Sequence, residues 1–148
     1  ALLPKFADLS VNLVDNDTRS ALVAANAAMI KSGTSTLEAM LLGRPMVVSY
    51  KLGSFSYRIA SRLVDTPYIA LPNILAGEEL VPELIQDAAT PEALARALLP
   101  LLDEDHESAR RAGVFAEMHR QLRDGASGHG ANATAALEIS RLLSAHKR

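Results

Sequence analysis

The 148-residue sequence contains no cysteine. That excludes disulfides, a thiolate nucleophile and any metal site built on cysteine, and it fits a reducing compartment. There is no tryptophan, and aromatic residues make up only 4% of the chain. So few ring faces give no platform on which single-stranded nucleic acid could stack. The formal net charge is −2, so the basic excess that meets nucleic acid is also missing, and no nucleic-acid partner is expected. No apolar run approaches the roughly 20 residues that a membrane-spanning helix needs. The opening ALLPKFADLS lacks a basic stretch ahead of a long apolar core, so no secretory signal is expected. The start at Ala1 rather than Met points to a processed chain or an excised piece. The four histidines, His106, His119, His129 and His146, are scattered and form no HExxH-like pair, so no metal is expected.

What the sequence does have is an apolar content of 49%, enough to bury the core of one domain at this length. Apolar runs alternate with amphipathic segments. Leu9 to Val14 reads as a short strand, followed by a turn at Asn16-Asp17-Thr18. Thr18 is expected to cap a helix running to about Asn26. Ala27 to Lys31 reads as a buried strand, and Thr36 to Leu42 as a helix closed by Gly43 at its C′ position. Met46 to Tyr50 is an apolar run without alternation, as expected of a strand covered on both faces. Phe55 to Val64 has helical spacing. Pro67 to Leu71 reads as a strand, Pro72 to Gly77 as a loop, and Glu79 to Ile85 as a short helix interrupted near Pro82. Thr90 with Pro91 opens a helix to about Leu102. Two more helices are expected, from His106 to Arg123 and from Ala131 to His146, joined by a Gly-rich link. Strands alternating with helices predict an α/β fold around a parallel sheet.

Ligands on such sheets sit at the carboxyl ends of the strands. Two segments are expected at that edge. In the first, Ser32, Gly33, Thr34, Ser35 and Thr36 form a polar, small-residue loop that opens a helix. Free N–H groups and the helix dipole make such a place an anion seat. The loop is neither GxGxxG nor GxxxxGK[ST], so P-loop chemistry is not indicated. An equally simple reading has Thr34 or Ser35 merely capping the helix. Glu38, two residues further on, is either an acid favoured by the dipole or an acceptor for a ribose diol. The second segment carries Asn73 and Gly77. Asn73 either makes an Asx-turn or reaches into the crevice, and Gly77 gives a ligand close access. Glu83 and Gln86, just beyond, are candidates for hydrogen bonds to sugar hydroxyls. No Ser/His/Asp set is apparent, so these residues describe binding rather than catalysis.

These candidates gain meaning together. Residues 32–64, SGTSTLEAMLLGRPMVVSYKLGSFSYRIASRLV, followed by residues 67–87, PYIALPNILAGEELVPELIQD, resemble the carboxyl-terminal half of lipid-A-disaccharide synthases. The resemblance is firmest from Asp15 to Leu102. Loops like SGTSTLEAM occur across many GT-B glycosyltransferases, whereas PNILAGEELVPELIQ is more particular to this family. The resemblance implies one half of a GT-B fold: a Rossmann-like parallel sheet with flanking helices, spanning residues 1–148, with a helical tail over 103–148 that packs back on the missing domain. It implies an inverting transfer from UDP-2,3-diacylglucosamine to lipid X, with no cofactor and no metal. Ser32 to Thr36 would meet the diphosphate and Glu38 the ribose. Asn73, Gly77, Glu83 and Gln86 would meet the sugar–diphosphate side.

Family members are more than twice this long, so the amino-terminal acceptor domain is a partner that this sequence lacks. The general base is expected there, and the chain alone is expected to be inactive. A cytoplasmic location at the inner membrane surface also follows. The apolar and basic segment 50–64, with Arg58 and Arg62 one turn apart, is either a packed helix with an Arg62–Asp65 pair or a surface for a membrane or a second subunit in a homodimer. Two rival functions share the fold: a UDP-sugar epimerase, and a nonenzymatic nucleotide-binding or assembly module. In the second rival Glu38 would be dispensable.

Overall fold

The computed structural model describes residues 9–53, 67–103, 106–124 and 130–145. Three strands, β1 (Ala28–Lys31), β2 (Met46–Tyr50) and β3 (Glu83–Ile85), form one sheet in the order β1-β2-β3. Both pairings are parallel: Ala28 lies opposite Met46 and Lys31 opposite Ser49, while Val48 lies opposite Glu83 and Tyr50 opposite Ile85. The parallel α/β sheet expected from the sequence is present. All three strands end at one edge, and the residues that follow them meet there.

β2 is the central strand, and its sequence shows why. Met46, Val47 and Val48 are all buried. Alternation sends Met46 and Val48 to one face and Val47 to the other. Both faces are therefore covered. The main core gathers Ile30, Met46 and Val48 from the sheet, Met40 from α2 (Thr34–Leu41), and Phe115 and Met118 from α5 (His106–Asp124). α4 (Pro91–Leu98) also packs against β2. α2 touches α3 (Leu71–Ala76) and α5, so the first helix of the tail packs inside this domain. α6 (Gly130–Ala145) packs on α5.

Several expectations hold with sharper boundaries. α2 closes as foreseen: Gly43 takes a φ of 67° and donates its N–H to Met40 O at 2.9 Å, and Arg44 N–H donates to Ala39 O at 2.9 Å. These paired bonds satisfy the last carbonyls of the helix. Thr90 caps α4 by accepting from Ala93 N–H, with Pro91 at the first helical position. That helix passes into a 3-10 turn at Leu99–Leu102, where Pro100 supplies no N–H for a further α-helical bond. α1 (Thr18–Ala24) is capped by Asp17 and not by Thr18.

Three segments differ from expectation. Leu9 to Val14 is not a strand, and its apolar side chains face solvent. A β-type sequence becomes a strand only where a neighbour takes its backbone groups, and none among the described residues does. Residues 67–70 are not a strand, and Pro72 to Gly77 is not a loop. Leu71–Ala76 is helical, with Pro72 in the first turn, where a missing N–H costs nothing. Gly77 closes this helix at a left-handed φ of 71° and donates to Asn73 O. The third segment, Glu79 to Ile85, is not a helix but the approach to β3 followed by β3 itself. The N–H groups of Leu80 and Val81 are taken by the Asn73 side chain. Val48 N–H donates to Pro82 O at 2.9 Å, which lays the chain alongside β2. The expected helix at 55–64, with Arg58 and Arg62, lies outside the described residues.

Candidate functional site

The carboxyl end of β1 runs straight into the loop. Ser32 N–H donates to Ser49 O at 3.1 Å, continuing the ladder by one step, and Ser32 Oγ donates to Ile69 O at 3.0 Å. The chain then turns at Gly33, whose φ of 151° and ψ of −165° form a combination open essentially to glycine alone. A Cβ there would touch nothing within 4 Å, so the backbone and not crowding demands the glycine. Gly33 is also the N-cap of α2. It has no side chain with which to cap, and no side-chain cap is made. The reading in which Thr34 or Ser35 caps the helix is therefore not what forms. Both are exposed and lie in the first turn of the helix. Thr36 is fully buried, and its Oγ1 donates to Gly33 O at 2.7 Å. Thr36 holds the turn; Gly33, Thr34 and Ser35 face outward.

Glu38 is half-buried on α2. The helix begins at Thr34, so Glu38 lies in its second turn, and the first turn holds no acid. Dipole stabilisation fades beyond the first turn, which weakens the purely structural account of this residue. Spacing of three and four residues puts Glu38 on the same helix face as Ser35 and Thr34. Sequence reasoning passed over one neighbour, Lys31. It ends β1 on an exposed position, and its Nζ sits 5.7 Å from the centroid of the Tyr50 ring. A cation immediately before a polar loop was the available signal.

The second segment is held by its own side chains. Asn73 is fully buried. Its Nδ2 donates to Val81 O and to Glu83 Oε1, each at 2.8 Å, and its Oδ1 accepts from Leu80 and Val81 N–H, each at 2.9 Å. Two donors and two acceptor sites are thus in use, the full capacity of a carboxamide. Glu83 also accepts from Ile69 N–H at 2.9 Å and from Ala70 N–H at 2.8 Å. Gln86 exchanges two hydrogen bonds with the backbone of Leu52. Gly77 sits at the far end of α3. The structure brings Ser32–Thr36 and Glu38 together, and ties Asn73 and Glu83 to them through the Ile69–Ala70 backbone.

Comparison with known proteins matches the model of the lipid-A-disaccharide synthetase family over residues 3–137. The chain belongs to this family. It is 50% identical over 129 residues to the lipid-A-disaccharide synthase of Sodalis glossinidius, covering 87% of this chain and 34% of that protein. It is 53% identical over 125 residues to the enzyme of that name from Pseudomonas aeruginosa, covering 84% of this chain and 32% of the relative. The corresponding values for Cellvibrio japonicus are 47% over 135 residues, 91% and 35%. The chain thus spans about a third of the length of the curated relatives it matches. Among the described residues no helix is long and apolar enough to cross a membrane, and no three His, Asp or Glu side chains gather where they could hold a metal ion.

Proposed function

We propose that this chain is the donor-binding part of a lipid-A-disaccharide synthase. In this reading a glycosyltransferase moves diacylglucosamine from UDP-2,3-diacylglucosamine to lipid X. The observation that carries it is the N-terminus of α2: it opens at Gly33 without a side-chain cap, at the carboxyl end of a parallel strand, with Glu38 on the face that Thr34 and Ser35 share. The diphosphate would rest on the outward N–H groups of Gly33, Thr34 and Ser35, and Ser32 Oγ, with lone pairs still available, lies at the same edge. Glu38 would accept from the ribose hydroxyls.

In an inverting transfer the donor's bond to phosphate breaks as the acceptor hydroxyl attacks from the opposite face. Negative charge then collects on the departing UDP. Fixed N–H groups at a helix N-terminus stabilise such charge without reorganising, and Lys31 adds a cation at the same edge. Asn73, Glu83 and Gln86 would form the wall on the sugar side, with Gly77 beyond it. The base that takes the acceptor proton would come from the preceding two thirds of the full-length protein. Membership in the family weighs against the epimerase.

Calorimetric titration of the chain with UDP tests the binding. UDP should bind in the millimolar range or tighter. Glu38→Ala should weaken it by about tenfold, the effect of losing roughly 1.4 kcal/mol of hydrogen bonding to a charged group. Unchanged affinity in Glu38→Ala would return the chain to the nonenzymatic alternative.

A further inference from the structure

At the end of β3 the chain adopts a backbone that its side chain must justify. Gln86 has a φ of 55°, a left-handed conformation that residues other than Gly, Asn and Asp seldom enter. There the chain leaves β3 for a short 3-10 helix, Gln86–Ala88. The Gln86 backbone therefore does not extend the ladder beyond the pairing of Tyr50 with Ile85.

The Gln86 side chain extends it instead. Leu52 N–H donates to Gln86 Oε1 at 2.6 Å, and Gln86 Nε2 donates to Leu52 O at 3.1 Å. A carboxamide carries the same donor and acceptor as a peptide unit, so it supplies the missing step. A glycine would suit this backbone and carry no amide. An asparagine would tolerate the backbone and fall one methylene short of Leu52. Leu52 follows β2 by two residues, and Ser32, bonded to Ser49 O, follows β1 at the same edge.

We infer that Gln86 is a positioning residue: its side-chain amide clamps the exit of β2 and so fixes residues 51–53 as a wall of the crevice that begins at the Ser32 loop. The use of that wall for a nucleotide-sugar rests on the function proposed above; the clamp itself does not. Leu52 engages one donor and one acceptor of the Gln86 amide, and through these two bonds Gln86 acts on the wall.

The test follows amide exchange and UDP binding by NMR in the chain and in two variants. Gln86→Gly relieves the backbone and deletes the amide. Gln86→Met keeps a long side chain and the left-handed backbone, which guards against an effect of glycine alone. Both should speed exchange of the Leu52 amide by about tenfold or more while the Val48 amide, bonded to Pro82 O, stays protected. Both should weaken UDP by about threefold or more through loss of preorganisation. Glu38→Ala should weaken UDP and leave Leu52 exchange alone. Unchanged Leu52 exchange in both Gln86 variants overturns the clamp. Faster Leu52 exchange with unchanged UDP affinity overturns the positioning role. If the unmodified chain takes up no UDP, the proposed function fails while the inference stays testable: Leu52 exchange then decides the clamp, and movement of the Ser32–Thr36 amide signals in Gln86→Gly decides the positioning.

Discussion

Asn73 uses every hydrogen-bonding position of its side chain inside the protein. Its four bonds tie α3 to the approach to β3 and to the Glu83 carboxylate. Removing the side chain takes the Asn73 partner from the buried Val81 N–H and C=O, while Leu80 N–H keeps only its bond to Glu78 O. Asn73→Ala should therefore cost about 2–4 kcal/mol, since each buried polar group left unpaired is expensive. Asn73→Asp should cost more, because it sets a second carboxylate beside Glu83. Urea unfolding of both variants measures this, and a loss below about 0.5 kcal/mol would fit an exposed, replaceable side chain instead. The sequence marked Asn73 as worth notice, but residue type does not say which way an amide faces. That depended on contacts with residues seven to ten positions away. Glu38 was expected in the first turn of a helix starting at Thr36; the helix starts at Thr34, which puts Glu38 in the second turn on the face of Thr34 and Ser35.

At the scale of elements, legibility followed local chemistry. The Gly43 closure of α2, the Thr90-Pro91 start of α4 and the unbroken apolar run of β2 depend on near neighbours, and all three were readable. β3 and α3 were not. Pro72 and Gly77 look like loop residues, yet one fits a helix's first turn and the other its left-handed end. β3 exists because Asn73 and Val48 capture its approach, and no periodicity announces that. α1 offers a prediction of its own. Asp17 accepts from Ser20, and hydrogen bonds from the Ser20 side chain and backbone hold its carboxyl below the ordinary value. A lowered pKa in the folded state gives stabilisation that is complete above the unfolded value and lost as pH falls through the folded one. Residues 18–24 should therefore fray on acidification through the carboxylate range. Asp17→Ala should show the fraying already at neutral pH, with little further response to acid. Cα chemical shifts followed against pH report both, and identical pH profiles for the two proteins would refute the cap's role.

Over the whole molecule, the family match covers residues 3–137 while the relatives run about three times the matched length. The chain should therefore show no transfer between UDP-2,3-diacylglucosamine and lipid X by itself. It should show transfer when joined to the remaining two thirds of a relative such as the Pseudomonas aeruginosa enzyme. Disaccharide formed by the 148 residues alone would place the base within this chain. On the proposed function, the uncapped N-terminus of α2 and Glu38 should receive the donor nucleotide. Titrating the isotopically labelled chain with UDP and following its amide signals tests this most directly. Gly33, Thr34, Ser35 and Glu38 should shift first and most, in the millimolar range of UDP or below. A well-dispersed spectrum in which those signals stay still, or in which the responsive residues lie away from the carboxyl edge of the sheet, would contradict it.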